Sequence, residues 1–401
     1  MRNQAPWDKL RVVAAALRYR QTWRLPLRVQ REMTNALSLV RPVRTSAGIF
    51  THPYAPPIGG KAYGRYLCGL ARMARGERVP LVAHLSVTDR CPCDCLRCSN
   101  LGRAEQDPSL AQLIRVVQSL RAAGTARIAL TGGEPALRQD LTQLIEACGP
   151  ELSVQLFTSG QGVEPGKARA WRDSGLDAAF VSLDHYRAEE HDAGRRRAGA
   201  FQSAVRAIQA FAEAGVHTTA QAVVGKALLA EGEMDKYLRL CRAVGAHEVM
   251  LLEPVAVRGA GSCEVLTEQD RRRLVALHRS SASDPSMLKV MSMTLLEGAE
   301  FLGCQAGVTF LYVSTQGEVF PCDFAPMSFG NAFAEPIEQV LGRMARLIPR
   351  ASCRCMATSV PGSPCGQAVG WEATQRLLES YEPGEGPSLM RWCERQVAHG
   401  R

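Results

Sequence analysis

The chain of 401 residues lacks the features that mark several common classes of protein. No apolar run approaches the roughly 20 residues that a membrane-spanning helix needs, so an integral membrane protein is not expected. The N terminus shows neither a long apolar stretch nor a small-residue cleavage site, which argues against a secretory signal peptide. With 46% hydrophobic and 22% charged residues, the composition is that of a globular protein of two or three domains, or of one large barrel with appendages.

Lysine is scarce, because only six of the 48 basic residues are lysine, and the net charge is +9. Cysteine is abundant, with 14 residues. A disulfide scaffold would be a short secreted chain, so these cysteines indicate a reducing compartment and metal or redox chemistry. We therefore expect a cytoplasmic protein, although the Arg-rich, acid-poor N terminus leaves an organellar transit peptide open.

Three segments differ in their patterns: a basic, helical N-terminal extension (1–80), a strand–helix alternation (81–260) and a cysteine-rich tail (261–401). The alternation contains short strands that are apolar or β-branched on both faces, as in a parallel sheet covered on both sides. Six strands are predicted, at 81–88, 127–131, 153–159, 178–184, 217–224 and 247–254. Five helices are predicted between them, at 109–123, 137–148, 164–174, 201–214 and 232–244. This pattern predicts an α/β fold, a partial (β/α)6 TIM-like barrel with its chemistry at the carboxyl ends of the strands.

The strongest motif is VTDRCPCDCLRCSN at residues 87–100, directly after the first predicted strand. Cys91, Cys95 and Cys98 have the spacing C-x3-C-x2-C. Three thiolates on one loop can bind three irons of a cubane cluster and leave the fourth iron open to an exchangeable ligand. From the residues alone, a zinc loop or free thiols remain alternatives, since Cys93 allows other pairings.

A second motif, LTGGEPALR at 130–138, ends the second predicted strand. Gly132 and Gly133 let the backbone approach a ligand closely. Glu134 and the freed backbone carbonyls are acceptors suited to an amino group. The alternative interpretation is a plain strand-to-helix turn with Pro135 at the start of the helix.

Together and in this order, the two motifs make residues 80–260 resemble the radical S-adenosylmethionine (SAM) superfamily. The resemblance implies a 4Fe–4S cluster on Cys91, Cys95 and Cys98, with SAM chelating the fourth iron and the GGEP loop contacting the SAM amino group. Cys93 is then not a ligand. The other SAM contacts that it implies are Ser159, in a loop that reads TSG where the family commonly has TNG, Ser182, Asp184 and Val223. The reaction implied is reductive cleavage of SAM to a 5′-deoxyadenosyl radical, which abstracts hydrogen from a substrate.

The tail carries a third motif, Cys304-x12-Gly317-x4-Cys322, across a predicted hairpin at 308–321. It resembles the auxiliary-cluster extension called SPASM, or its shorter form, the twitch domain. The later cysteines depart from the full SPASM pattern, which favours one auxiliary Fe–S cluster over two. Its implied ligands are Cys304, Cys322 and two of Cys353, Cys355 and Cys365, with a structural zinc site as the alternative.

The resemblance implies an enzyme acting on a peptide or small-molecule precursor in a biosynthetic pathway, supplied with electrons by a flavodoxin- or ferredoxin-type donor. Modification of a tetrapyrrole, another cofactor or an isoprenoid-type lipid is an alternative, and fold analogy alone does not choose among substrates. A more distant alternative is a non-catalytic protein that binds a metal or nucleic acid.

Two basic segments have competing interpretations. The extension is either a helix docked on the barrel with its basic side in water, or an interfacial helix in peripheral contact with anionic lipid. Its basic charge could also bind nucleic acid, which is not an expected partner. The segment HDAGRRR (191–197) is either solvated charge or a site for an anionic substrate.

Overall fold

The computed structural model describes residues 7–100, 106–255, 265–360, 368–379, 381–383 and 385–387. Cys365 therefore lies outside the described residues. Across these ranges, no helix combines the length and the apolar character needed to cross a bilayer.

A nine-stranded sheet forms the centre of the molecule, and the short hairpin β1–β2 lies apart from it. The strands are β1 (Val43–Thr45), β2 (Gly48–Phe50), β3 (Val82–Ser86), β4 (Arg127–Thr131), β5 (Ser153–Thr158), β6 (Leu176–Ser182), β7 (His217–Val223), β8 (Glu248–Leu252), β9 (Lys289–Ser292), β10 (Phe310–Val313) and β11 (Val319–Phe320). The sheet order is β11-β10-β3-β4-β5-β6-β7-β8-β9, and every pairing except β10–β11 is parallel. The two edges are not paired in the described residues, so the barrel is partial, as predicted.

All six predicted strands are present as β3 to β8. Their side chains are almost entirely buried, because helices cover one face and the barrel interior the other. The predicted hairpin is β10–β11, but β10 also pairs with β3, and β9 pairs with β8. Strands from the segment 261–401 thus extend both edges of the six-stranded sheet.

The helices lie outside the sheet or at its ends. They are α1 (Trp7–Leu17), α2 (Leu27–Leu39), α3 (Lys61–Met73), α4 (Leu110–Ala123), α5 (Leu141–Cys148), α6 (Pro165–Asp173), α7 (Ala188–Arg195), α8 (Ala200–Glu213), α9 (Lys226–Leu229), α10 (Glu233–Ala243), α11 (Glu268–Ser283), α12 (Met293–Leu296), α13 (Ile337–Leu347), α14 (Met356–Ser359) and α15 (Trp371–Leu378). The five predicted helices correspond to α4, α5, α6, α8 and α10. Their apolar faces pack on the sheet in one continuous core.

The N-terminal extension closes the amino end of the barrel. Val12 of α1 and Val29 of α2 are buried in a cluster with Leu81 and Val82 at the start of β3. Phe50 stacks on His217 of β7, with ring centroids 3.9 Å apart. The extension is therefore docked on the barrel, as the first of the two interpretations predicts.

Buried charges hold this closure in place. The Lys289 ammonium donates to the Thr51 carbonyl at 2.8 Å and pairs with Glu248 at 2.8 Å, and Glu248 also pairs with His217 at 2.9 Å. Burial alone would raise the pKa of Glu248, but Lys289 and His217 hold it well below its usual range. Arg127 of β4, fully buried, donates to the Pro53 carbonyl at 2.7 Å.

Replacing Glu248 by Ala should lower the free energy of unfolding by about 3–5 kcal/mol, because Lys289 would keep a buried charge without its carboxylate. Urea denaturation at neutral pH measures the change. Glu300→Ala, which breaks the exposed pair with Arg279, is the matched control and should cost less than about 1 kcal/mol. Equal losses in the two variants would contradict a special role for the buried pair.

Candidate functional site

The carboxyl ends of the strands surround one cavity of about 1200 Å³. The predicted site residues that line it are Cys91, Cys95, Cys98, Gly132, Gly133, Ser159, Ser182, Asp184, Val223, Cys304, Cys322, Cys353 and Cys355. Glu134 and Pro135 are not among its lining residues. The fold thus brings together, in a single cavity, cysteines that are separated by more than 200 positions along the chain.

The cysteine loop presents three partly exposed thiols, Cys91, Cys95 and Cys98, and one buried thiol, Cys93. A hydrogen bond from Cys93 is the largest cause lowering the pKa of Cys95, which falls to about 6 with further help from Arg195. Cys93 also lowers the pKa of Cys91. Because the thiolate is the form that binds metals, these shifts prepare the loop for ligation.

Three thiols on one loop are the donor type that an iron–sulfur cluster uses. Within the described ranges, no three His, Cys, Asp or Glu side chains converge on a single point as the ligands of one ion would. A cluster takes each thiolate on a different iron, so its ligands need not converge in that way.

The two glycines of the GGEP turn are required by the contact between this turn and the cysteine loop. The Gly133 N–H donates to the Thr88 carbonyl at 2.6 Å, and the Glu134 N–H donates to the Arg90 carbonyl at 2.8 Å. A Cβ atom on Gly133 would lie 2.4 Å from the Arg90 oxygen, and one on Gly132 would lie 2.3 Å from the Thr88 oxygen. Larger residues would push the loop away from the turn.

The Glu134 carboxylate is buried and hydrogen-bonded within the protein. Its buried carboxylate accepts hydrogen bonds from the Thr158 hydroxyl (2.6 Å), the Ser159 N–H (2.7 Å) and hydroxyl (2.5 Å), and the Ala136 N–H (3.1 Å). Burial raises its pKa, and these donors oppose the rise. The carboxylate therefore joins the turns that follow β4 and β5.

Arg195, at the end of α7, is a site residue that the sequence did not single out. Its guanidinium pairs with Asp184 at 2.6 Å and donates to the Cys95 sulfur at 3.7 Å. The backbone of the same turn accepts from the N–H groups of Asp94 and Leu96, at 3.2 Å each. Neither interpretation of the segment 191–197 anticipated the contact with the cysteine loop, because Asp94, Cys95 and Leu96 lie about 100 residues earlier in the chain.

The Asp184 carboxylate likewise has its partners within the protein. Besides pairing with Arg195, its carboxylate accepts from the Val223 N–H at 3.0 Å, which joins the ends of β6 and β7. Ser182 and Ser159 remain the hydroxyl side chains of the predicted set that line this part of the cavity.

The far side of the cavity is formed by the cysteines of the tail. Cys304 lies beside the segment that carries Cys353 and Cys355, because its N–H donates to the Ser352 carbonyl at 2.7 Å. Burial raises the pKa of Cys304 to about 12 and also raises the pKa values of Cys322 and Cys355. Repulsion by neighbouring negative groups adds to the effect, chiefly from Cys355 on Cys304, from Asp323 on Cys322 and from Glu297 on Cys355. Positive charge placed among these thiols would remove that repulsion.

Two polar pairs line the cavity between the cysteine sets. His84 Nδ1 is 2.8 Å from Asp323 Oδ2, and its ring lies between Phe157 and Phe310. The Tyr54 hydroxyl donates to Glu297, whose pKa is raised by burial. All four residues line the cavity, where they could bind or exchange protons with a substrate.

An open parallel barrel with a three-cysteine loop and a glycine turn at its carboxyl end defines the class of enzymes that generate radicals from SAM. Residues 85–239 match the Radical SAM superfamily. The match spans less than half of the chain and indicates an enzyme of the radical SAM type, a superfamily that uses a 4Fe–4S cluster and SAM.

Named relatives extend beyond that segment. The AdoMet-dependent heme synthase of Oleidesulfovibrio alaskensis is 26% identical over 273 residues, covering 61% of this chain and 70% of the relative. The protein of the same name from Methanosarcina barkeri is 26% identical over 292 residues, covering 65% of this chain and 82% of the relative.

Solved structures share the fold. Streptococcus suis SuiB bound to precursor peptide SuiA aligns with a TM-score of 0.57 and 17% identity over 69% of this chain and 67% of its own. Native anSMEcpe with bound AdoMet and Cp18Cys peptide aligns with a TM-score of 0.55 and 14% identity, over 80% of this chain and 98% of its own.

Replacing Arg195 by Gln should lower the iron bound after anaerobic reconstitution and slow SAM cleavage at least tenfold, because Asp184 loses its partner and the cysteine loop loses its anchor. Iron assay and 5′-deoxyadenosine formation measure the two effects. Arg196→Gln is the matched control, since Arg196 pairs only with the exposed Asp94 among the contacts found for its side chain in the described residues. An Arg195 variant with the control's iron content would contradict this role.

Proposed function

We propose that Cys91, Cys95 and Cys98 hold the SAM-binding cluster, and that Cys304, Cys322, Cys353 and Cys355 hold a second iron–sulfur centre. The observation that carries the proposal is that one cavity of about 1200 Å³ is lined by both sets of cysteines. A cavity of this size exceeds the usual range for small-molecule sites, so it has room for SAM together with a substrate.

With its cluster and SAM bound, the enzyme would generate a 5′-deoxyadenosyl radical that takes a hydrogen atom from the substrate. A flavodoxin- or ferredoxin-type donor would supply the electron. The chain's own residues then hold the reactants and exclude water: Ser159 and Ser182 line the SAM side, and the His84–Asp323 and Tyr54–Glu297 pairs line the substrate side.

The substrate class that we favour is a tetrapyrrole of the heme type. Support comes from the heme synthases, whose similarity to this chain is one of sequence and covers 61–65% of it. Arg97 and Arg354 line the cavity and suit the carboxylates that such molecules carry.

A peptide substrate is the second candidate. SuiB and anSMEcpe have been solved with peptides, but they share with this chain only the fold. Peptide maturation would place an extended chain in the same cavity, and the polar pairs at its floor would then contact the peptide.

Reconstitution with iron and sulfide should give about eight irons per chain and dithionite-dependent 5′-deoxyadenosine. Cys98→Ala should abolish cleavage of SAM, whereas Cys322→Ala should lose about half the iron and retain uncoupled cleavage. The exposed Cys68 on α3 offers a matched control, and Cys68→Ala should keep both properties. Stoichiometric zinc without SAM cleavage would refute the proposal, and identical behaviour of the Cys98 and Cys322 variants would refute the division of roles.

Hemin binding separates the two substrate classes. If the cavity accepts a tetrapyrrole, hemin should bind the reconstituted enzyme with a shift of its Soret band, and Arg354→Glu should weaken binding at least fivefold because it reverses a charge facing the carboxylates. Arg346→Glu, on the outer helix α13, is the control. No saturable binding, together with 5′-deoxyadenosine formation stimulated by peptides, would favour the peptide class instead.

A further inference from the structure

The N-terminal extension exposes an unusual set of apolar side chains, which we call the leader patch: Leu10, Leu17, Trp23 and Leu27. Their exposed fractions are 58%, 37%, 68% and 82%. Four of the seven exposed large apolar side chains in the described part of the chain thus fall within 18 residues. Exposed apolar side chains that cluster in this way mark interaction surfaces.

The patch is presented by a fixed scaffold. Leu10 and Leu17 lie two turns apart on one side of α1, while Val12 on the other side is buried against the barrel. The Trp23 indole N–H donates to the Leu17 carbonyl at 3.0 Å, which places the two side chains next to each other. Leu27 begins α2, whose Val29 is buried in the same cluster as Val12. The side chains of the leader patch therefore stay exposed while α1 and α2 are packed on the barrel.

The charge between Leu10 and Arg31 has one sign, although Asp8 and Glu32 flank this stretch. Between Leu10 and Arg31 the sequence contains no acidic residue. All six arginines of this stretch have exposed side chains, at positions 11, 18, 20, 24, 28 and 31. Long basic side chains beside exposed leucine and tryptophan are the composition of a surface that binds anionic lipid.

We propose that the leader patch docks this enzyme on an anionic phospholipid surface. Trp23 and the three leucines would enter the interface between headgroups and acyl chains, and the arginines would contact the headgroup phosphates. Neither signal suffices alone, because stable attachment of a peripheral protein requires apolar insertion and electrostatic attraction together.

The position of the patch sets the orientation of the enzyme. The helices that carry it pack on the amino ends of β3 and β4, whereas the cysteine loop follows the carboxyl end of β3. The cavity would therefore open away from the lipid. Substrate and electron donor could reach it from the aqueous side while the enzyme is attached.

Co-sedimentation of the full chain with vesicles tests the proposal. The wild type should bind vesicles of phosphatidylcholine containing about one third phosphatidylglycerol, and bind pure phosphatidylcholine at least tenfold more weakly. Trp23→Ser with Leu27→Ser should weaken binding to the anionic vesicles at least tenfold. Arg18→Glu with Arg24→Glu should weaken it by a similar factor, since each arginine near the surface contributes about fivefold.

A charge-matched control is available on the outer helices. Arg169→Glu with Arg239→Glu changes the net charge equally on exposed positions of α6 and α10, and should bind as the wild type does. Unchanged melting temperatures show that all three variants fold. Absence of wild-type binding, equal loss in the control, or full binding by the Trp23 and Leu27 variant would overturn the proposal. A patch variant with an altered oligomeric state and unchanged vesicle binding would also overturn the proposal, because the patch would then contact a second copy of the chain.

Discussion

The site depends on the contact between the GGEP turn and the cysteine loop. Residues 87–100 contain no strand or helix that would hold the three thiols in place. Instead, the N–H groups of Gly133 and Glu134 bind two carbonyls of the loop, and this is possible only because glycine lets the two backbones touch. Two further supports act from the sides. The α7 turn binds the loop through Arg195, and Thr315 after β10 donates to Asp89 at 2.6 Å. The loop is thus positioned by three segments that are far apart along the chain.

Much of this arrangement can be predicted from the sequence, for identifiable reasons. Strands buried on both faces give short apolar runs, and β3 to β8 were found from that pattern alone. The cavity location follows from the rule that parallel strands present their carboxyl ends together. At the edges of the sheet, the hairpin β10–β11 was predicted, but strand β9 and the pairing of β10 with β3 were not. These pairings depend on long-range contacts of strands only four residues long.

The roles of individual polar residues were harder to predict. The sequence identifies Glu134 as an acceptor, but which donors it meets depends on how the β5 turn packs against it, and Thr158 and Ser159 occupy it. Arg195 lies in a run of three arginines that reads as solvated charge. Only the fold shows that its guanidinium reaches Asp184 and Cys95 while Arg196 remains on the surface. A signal was available in retrospect, since a carboxylate buried at a strand end usually requires a cationic partner.

The N-terminal extension also contributes to the cavity in which the reaction would take place. A barrel that generates a reactive radical must exclude water, and the N-terminal extension covers the amino end of this open barrel. Thr51 and Pro53 seal it here, with Lys289 and Arg127 bound to their carbonyls, and Tyr54 continues from this seal to the cavity floor. Buried cations are costly unless they are paired and hydrogen-bonded. Since both bind carbonyls of the extension, detaching it would leave these cations with fewer partners and open the cavity at once. The described residues 7–80 are therefore packed into the barrel as part of one body, whatever surface their outer side contacts.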